Sequence, residues 1–113
     1  MSSLYEKYGG HEKISEVVRL FYKNLEKSNV IKPYFQGIEL EPLLKFQIDF
    51  FSQQMGGPQM DPSKYQNTIH KLPIKDEDFL EVAEILENTL IAFGLESDDI
   101  ESVLSLVANS RGN

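Results

Sequence analysis

The sequence predicts an all-α domain. Apolar residues recur every three or four positions along most of the chain, as on the buried face of a helix, and no segment alternates long enough to predict a strand. Glycine and proline clusters at 9–10 and 56–58 separate the helical segments. A chain of 113 residues suits one domain, and we expect residues 1–113 to form it.

The helical segments follow in order along the chain. A short first helix is expected from Ser3 to the glycine pair at 9–10, because Ser3 and Glu6 have the spacing of a capping box. The apolar spacing and the stop signals then predict four longer helices over 11–27, 40–55, 76–93 and 98–108.

Two connecting segments and the chain end complete this prediction. Residues 29–37 should form a turn that carries Tyr34 and Phe35, with Phe35 the more deeply buried of the two. Residues 59–68 should form a loop that leads to one helical turn at His70. The last five residues should fray.

Composition excludes several classes of function. The net charge of -7 and the pI near 4.7 disfavour nucleic acid and anionic membrane surfaces as partners. Because the chain has no cysteine, it has neither disulfides nor thiolate metal sites. It shows neither a secretory leader nor a membrane-spanning stretch, so we expect a cytoplasmic protein.

Three polar residues stand out. Tyr22 and Gln47 each interrupt an apolar helical stripe, and His70 is one of only two histidines. Read singly, Tyr22 fits a core tyrosine bonded to a carbonyl, and His70 fits a satisfied or exposed histidine. Read together, an imidazole facing two such stripes can ligate a haem iron and hold a polar diatomic molecule on the other side. The second reading explains all three residues at once.

The other polar groups have simpler explanations. His11 opens a helix, where a polar residue is expected whatever the function. The acidic cluster at 76–78 should stabilise the N-terminus of a helix rather than bind a metal ion. No HExxH motif is present, so hydrolytic metal chemistry is not indicated.

Several motifs together resemble the truncated, two-over-two haemoglobins, most closely group I. They are LYEKYGG followed by HE, FY in the second helix, YFQGI in the turn, FQIDFF in the third helix, GGP at its end, and a histidine twelve residues beyond Pro58. The absence of tryptophan distinguishes the chain from groups II and III, which typically carry one where Val82 stands.

The resemblance implies one haem b per chain. It makes His70 the proximal iron ligand, Tyr22 and Gln47 the distal hydrogen-bonding pair, and Phe35 the aromatic residue that packs on the ring. Leu43 stands where many globins place a distal histidine. The other pocket-lining residues it implies are Phe46, Phe50, Phe51, Val82, Leu86 and Val107.

The chain departs from the family pattern around the ligand. Asp61 and Gln66 stand where members often carry tyrosine and methionine, and Pro73 replaces glycine in a loop shortened by one residue. The implied function is oxygen binding, transport or sensing, or nitric oxide dioxygenation, with O2, CO and NO as ligands. Sustained turnover would need a separate reductase. The alternative is a haem-free, globin-like interaction module.

Overall fold

The computed structural model of the chain describes residues 3–61, 63 and 73–111. Within these ranges the protein is all-α, as predicted, and has no strand. The segment 64–72 lies outside the described residues, and with it lies the predicted ligand His70. The helices are α1 (Leu4–Lys7), α2 (Gly10–Lys27), α3 (Leu40–Gln54), α4 (Asp76–Ala92) and α5 (Ser97–Arg111), with a 3₁₀ turn at Lys32–Phe35.

The corner between α1 and α2 forms as the glycine pair predicts. The Ser3 hydroxyl caps α1 by accepting a hydrogen bond from the backbone N–H of Glu6 at 3.2 Å. Gly9 and Gly10 both adopt positive φ, at 98° and 75°, where a residue with a side chain would be strained. The corner therefore turns within two residues and lets α2 begin at once.

Helix α2 is the centre of the fold. It packs against both α3 and α4, and α5 packs against α4. Its buried face follows the predicted three-to-four-residue spacing. The buried apolar residues of these helices are Ile14, Val18, Phe21, Leu25, Leu43, Leu44, Ile48, Phe51, Val82, Leu86, Leu90, Ile100 and Val103.

The turn between α2 and α3 is anchored differently from the prediction. Tyr34 and Phe35 are both half-buried, whereas Ile31, just before them, is completely buried. The Tyr34 hydroxyl donates to Asp78 Oδ2 at 2.6 Å and accepts from the backbone N–H of Lys75 at 3.2 Å. Tyr34 thereby ties this turn to the start of α4.

Helix α5 is longer than predicted. It continues to Arg111, so the expectation that the chain frays from residue 109 is wrong for residues 109–111. The sequence offers no glycine or proline before Gly112 to end the helix earlier. Among the described residues, no helix is long and apolar enough to cross a membrane.

Helix α4 is acidic throughout. Every charged residue in Asp76–Ala92 is an aspartate or glutamate, and three of them lie in its first turn. Those three face the positive end of the helix dipole, where carboxylates are favourable. The remaining carboxylates continue along the helix.

Candidate functional site

Tyr22 lies inside the core, on α2. Its side chain is 7% exposed, and its ring meets Phe21 and Phe35 edge-on, with centroids 5.4 Å and 6.2 Å away. Burial raises the pKa of its hydroxyl, and no hydrogen bond from a described residue contributes to that shift. Tyr22 is thus a protonated hydroxyl held between aromatic rings, and Phe35 lies beside it.

Gln47 is buried on α3, as its place in an apolar stripe predicts. It is 9% exposed, and Leu43, one turn earlier on the same helix, is completely buried. Since α2 and α3 pack against each other, one buried hydrogen-bonding side chain comes from each of two adjoining helices.

The remaining predicted lining residues are distributed over three helices. Phe46 and Phe50 are half-buried and stack with centroids 6.0 Å apart, and Phe50 meets Phe51 edge-on at 5.7 Å. Val82 and Leu86 are buried on α4, and Val107 is half-buried on α5. His11 is exposed, and its Nε2 lies 3.6 Å from Asp49 Oδ1 at the surface.

A cavity of about 430 Å³ is lined by residues from all five helices. Two of the predicted lining residues, Phe51 and Leu86, border it. Sequence reasoning placed several of the others on core faces but missed the cavity, because periodicity shows which residues point inward and not whether they fill the space between them. The apolar residues missed as cavity lining are Ile14, Val17, Val18, Phe21, Met55, Leu90, Phe93, Leu95 and Val103.

The lining of the cavity comes close to Tyr22 and Gln47 along two helices. Along α2 its lining runs from the start of the helix to Phe21, the residue before Tyr22. Along α3 it runs back from Met55 to Phe51, one turn from Gln47. We call the part of the core that surrounds the cavity the outer half, and the part around Tyr22 and Gln47, which do not border the cavity, the inner half.

Comparison with known proteins identifies the family. A family model described as bacterial-like globin matches residues 3–113. This chain belongs to that globin family. A group 1 truncated hemoglobin from Synechocystis sp. is 30% identical over 111 residues, which are 94% of this chain and 90% of the relative. Another, from Mycolicibacterium paratuberculosis, is 29% identical over 108 residues, covering 95% of this chain and 79% of the relative.

Solved structures agree with this assignment. The 2/2 hemoglobin from Synechococcus sp. PCC 7002, in its cyanomet state with covalently attached heme, matches with a TM-score of 0.78 and 26% identity over 95% of this chain and 91% of that one. The truncated hemoglobin of Tetrahymena pyriformis in its Fe(III) form gives 0.79 and 23%, over 98% and 96%. The predicted group I resemblance and two-over-two fold are confirmed, and membership of the globins implies a haem cofactor.

The cavity of this globin is polar where Lys7 and Tyr8 line it, and we call this side its mouth. The Tyr8 hydroxyl donates to Asp99 Oδ2 at 2.5 Å and accepts from the backbone N–H of Glu96 at 3.1 Å. Lys7 Nζ lies 2.7 Å from the same Asp99 oxygen and 3.3 Å from Glu96 Oε1. Lys7 and Tyr8 both line the cavity. The sequence did not predict that these four residues meet.

Two buried hydroxyls in the outer half differ in their partners. Thr89 Oγ1 accepts from Asn24 Nδ2 at 3.1 Å and donates to the Ile85 carbonyl at 2.8 Å. Ser52 Oγ, on α3, is buried and has no hydrogen-bond partner among the described residues. An unpaired buried hydroxyl is unfavourable by roughly 1–3 kcal/mol. Ser52 is therefore a local weakness in the fold.

Proposed function

We propose that this globin binds one haem b and holds O2 or a related diatomic gas on the side of Tyr22 and Gln47. The observation that carries the proposal is the Tyr22 hydroxyl, which is buried between aromatic rings and kept protonated by its raised pKa. A buried donor of this kind suits a polar ligand in an otherwise apolar pocket.

The residues that are present fit a haem. The ring needs apolar walls, and Leu43, Phe46 and Val82 offer them from two helices. Leu43 cannot ligate iron, nor can Phe46, so the distal side would leave the iron free to take a gas. We assign the proximal ligand to His70, because neutral imidazole is the common haem ligand of globins and His11 lies exposed at the start of α2. Haem, when bound, supplies the iron that binds O2, CO or NO.

The chain's own residues would then tune that binding. Tyr22 would donate a hydrogen bond to a polar diatomic ligand, and the Gln47 amide would orient or share that bond. Phe46 and Phe50 would exclude water from the pocket. Carbon monoxide is less polar than O2 when bound, and it would gain less from Tyr22.

The cavity suits the passage of uncharged gases. Two of the lining residues that the resemblance implies, Phe51 and Leu86, border the cavity. We propose that gas moves along the cavity and past Phe21 and Leu86 to the Tyr22 side. An apolar lining favours small uncharged molecules over ions.

Nitric oxide dioxygenation is the activity we propose beyond gas binding. The reaction NO + O2 + e⁻ → NO3⁻ takes one electron in each turnover. The globin match spans residues 3–113, and we propose that a separate reductase supplies that electron. Single turnover in a stopped-flow instrument, with nitrate assayed, tests this step. Release of O2 without nitrate would instead favour storage or sensing.

Absorption spectra of the purified ferric, ferrous and CO-bound forms test the proposal as a whole. We expect a Soret band and a five-coordinate ferrous haem, because Phe46 cannot ligate iron and Lys45 is exposed on another side of α3. His70→Ala should abolish stable haem binding, whereas the matched variant His11→Ala should keep it. A colourless protein that takes up no added haem would favour the haem-free interaction module. A wild-type spectrum in His70→Ala would contradict the ligand assignment.

A further inference from the structure

Four residues form a polar network at the mouth of the cavity: Lys7 and Tyr8, which line it, and their partners Glu96 and Asp99, which do not. Tyr8 is half-buried and touches the cavity, while its hydroxyl both donates to Asp99 and accepts from the Glu96 backbone. Lys7 adds a second contact to Asp99. We call this group the corner network, because it joins the α1–α2 corner to the start of α5.

Lys7 is paired with both carboxylates of the corner network. Lys7 and then Tyr8 hold the pKa of Asp99 below its ordinary value, so the carboxylate stays ionised at neutral pH. Burial and the bond to Asp99 raise the pKa of Tyr8, which keeps its hydroxyl a donor. Lys13, the other cation at the mouth, pairs with Glu16 at 3.3 Å. Both lysines that line the cavity are therefore paired with carboxylates.

The network is also weak enough to open. Lys7 and Glu96 are exposed, and exposed ion pairs contribute at most about 1 kcal/mol. Helix α1 packs mainly on α2, and α5 packs mainly on α4. Transient loss of the Tyr8 and Lys7 contacts would therefore widen the mouth without unfolding a helix.

We propose that Tyr8 and Asp99 select by size which uncharged ligands enter the cavity. A diatomic gas is small enough to pass Tyr8 while its hydroxyl is bonded to Asp99. A larger apolar molecule passes only after that hydrogen bond has broken. Tyr8 is the specificity-determining residue, since it lines the cavity, and Asp99 positions it. This inference rests on the proposed function insofar as the cavity serves a gas-binding iron.

The first test compares two haem ligands of different size. Association of CO and of n-butyl isocyanide with the ferrous protein is measured in the wild type, in Tyr8→Phe and in Asp99→Ala. Both variants should bind the isocyanide about two- to fivefold faster, as expected for the loss of one partly buried hydrogen bond, and CO should change less. Unchanged isocyanide rates in both variants, or equal changes for the two ligands, would overturn the proposal.

Glu41→Gln is the matched control. Arg19 Nη2 and Glu41 Oε1 form an exposed ion pair at 2.8 Å between α2 and α3, and neither residue lines the cavity. Removing that carboxylate should leave both rates and their ratio at the wild-type values. A rise equal to that of Asp99→Ala would mean that a general loosening of the surface, and not the corner network, sets the rates.

The second test needs no haem. The Glu96 amide donates to the Tyr8 hydroxyl, so its hydrogen exchange should speed up about two- to fivefold in Tyr8→Phe. Cyclopropane dissolved in the sample should shift the methyl signals of Val18 and Leu90, with faster exchange in Tyr8→Phe. If the purified protein lacked haem but showed both changes, the proposed function would fail and the size selection would stand. If the methyl signals never shifted, the size selection would fail.

Discussion

The inner and outer halves of the bundle treat polar groups in opposite ways. In the inner half, Tyr22 and Gln47 are buried among aromatic and aliphatic side chains. In the outer half, the interior is an apolar cavity, and Tyr8 and Asp99 satisfy each other at its rim. The polar side chains of the inner half are therefore buried where a ligand could bond to them, whereas those of the outer half bond to each other at the mouth of the cavity.

The largest expected effect compares the packing of the two halves. Leu25 is 1% exposed in the inner half, and Leu90 is 2% exposed but borders the cavity. Both alanine substitutions should lower the free energy of unfolding by roughly 2–5 kcal/mol. Leu25→Ala should lie near the upper end, because Leu90 already has empty space on one side. Urea denaturation measures both, and a larger loss for Leu90→Ala would break the comparison.

The next effect tests the inner half as a ligand site. Tyr22→Phe removes the buried hydroxyl and keeps the ring. Loss of a hydrogen bond of roughly 1–3 kcal/mol should raise the O2 dissociation rate by about 5- to 150-fold. The CO rate should change much less. Stopped-flow ligand replacement measures both, and equal changes for the two gases would argue against a hydrogen bond from Tyr22.

Adding one methylene group tests the cavity directly. Val18 borders the cavity, whereas Val82 is 5% exposed in the inner half and does not border it. Val18→Ile should be neutral or raise the free energy of unfolding by about 0.5–2 kcal/mol, while Val82→Ile should lower it by about 1–3 kcal/mol. Thermal unfolding of the purified proteins measures both changes in stability. Equal destabilisation would show that the outer half is as tightly packed as the inner half.

The smallest effect concerns an exception in the outer half. Ser52→Ala should raise the free energy of unfolding by about 1 kcal/mol, because it removes an unpaired buried hydroxyl and favours the helix. Thr89→Val is the control and should be destabilising, since it leaves the Asn24 amide without this partner. If Ser52→Ala were destabilising, the hydroxyl would have a partner in solution.

Much of the fold could be predicted because its signals are local. Glycine pairs, helix caps and the apolar spacing each act within a few residues, and α2, α3 and α4 end within one residue of the predicted position. The end of α5 was missed because no breaker precedes Gly112. Ile31 was missed because burial of one side chain in a turn depends on what packs over it.

In the candidate site, too, features marked by local sequence could be predicted and features that depend on distant contacts could not. Tyr22 and Gln47 stand out in the sequence because each is a polar residue that interrupts an apolar stripe, and both are buried in the structure. The corner network was invisible because its central bond joins residues 91 positions apart. Nothing local marks Tyr8 or Asp99 as partners, and only tertiary structure brings them together.

The acidity of α4 has a consequence for the order in which the protein folds. Glu77, Glu81, Glu84 and Glu87 follow one another at spacings of four, three and three, so like charges are neighbours along one side of the helix. Repulsion of this kind opposes the helix in an isolated segment, and tertiary contacts must overcome it. We therefore expect a peptide spanning α4 to be largely unstructured in neutral water and to gain helicity in acid, where the repulsion disappears. In the whole chain, we expect α4 to become helical only after α2 has formed and can pack against it.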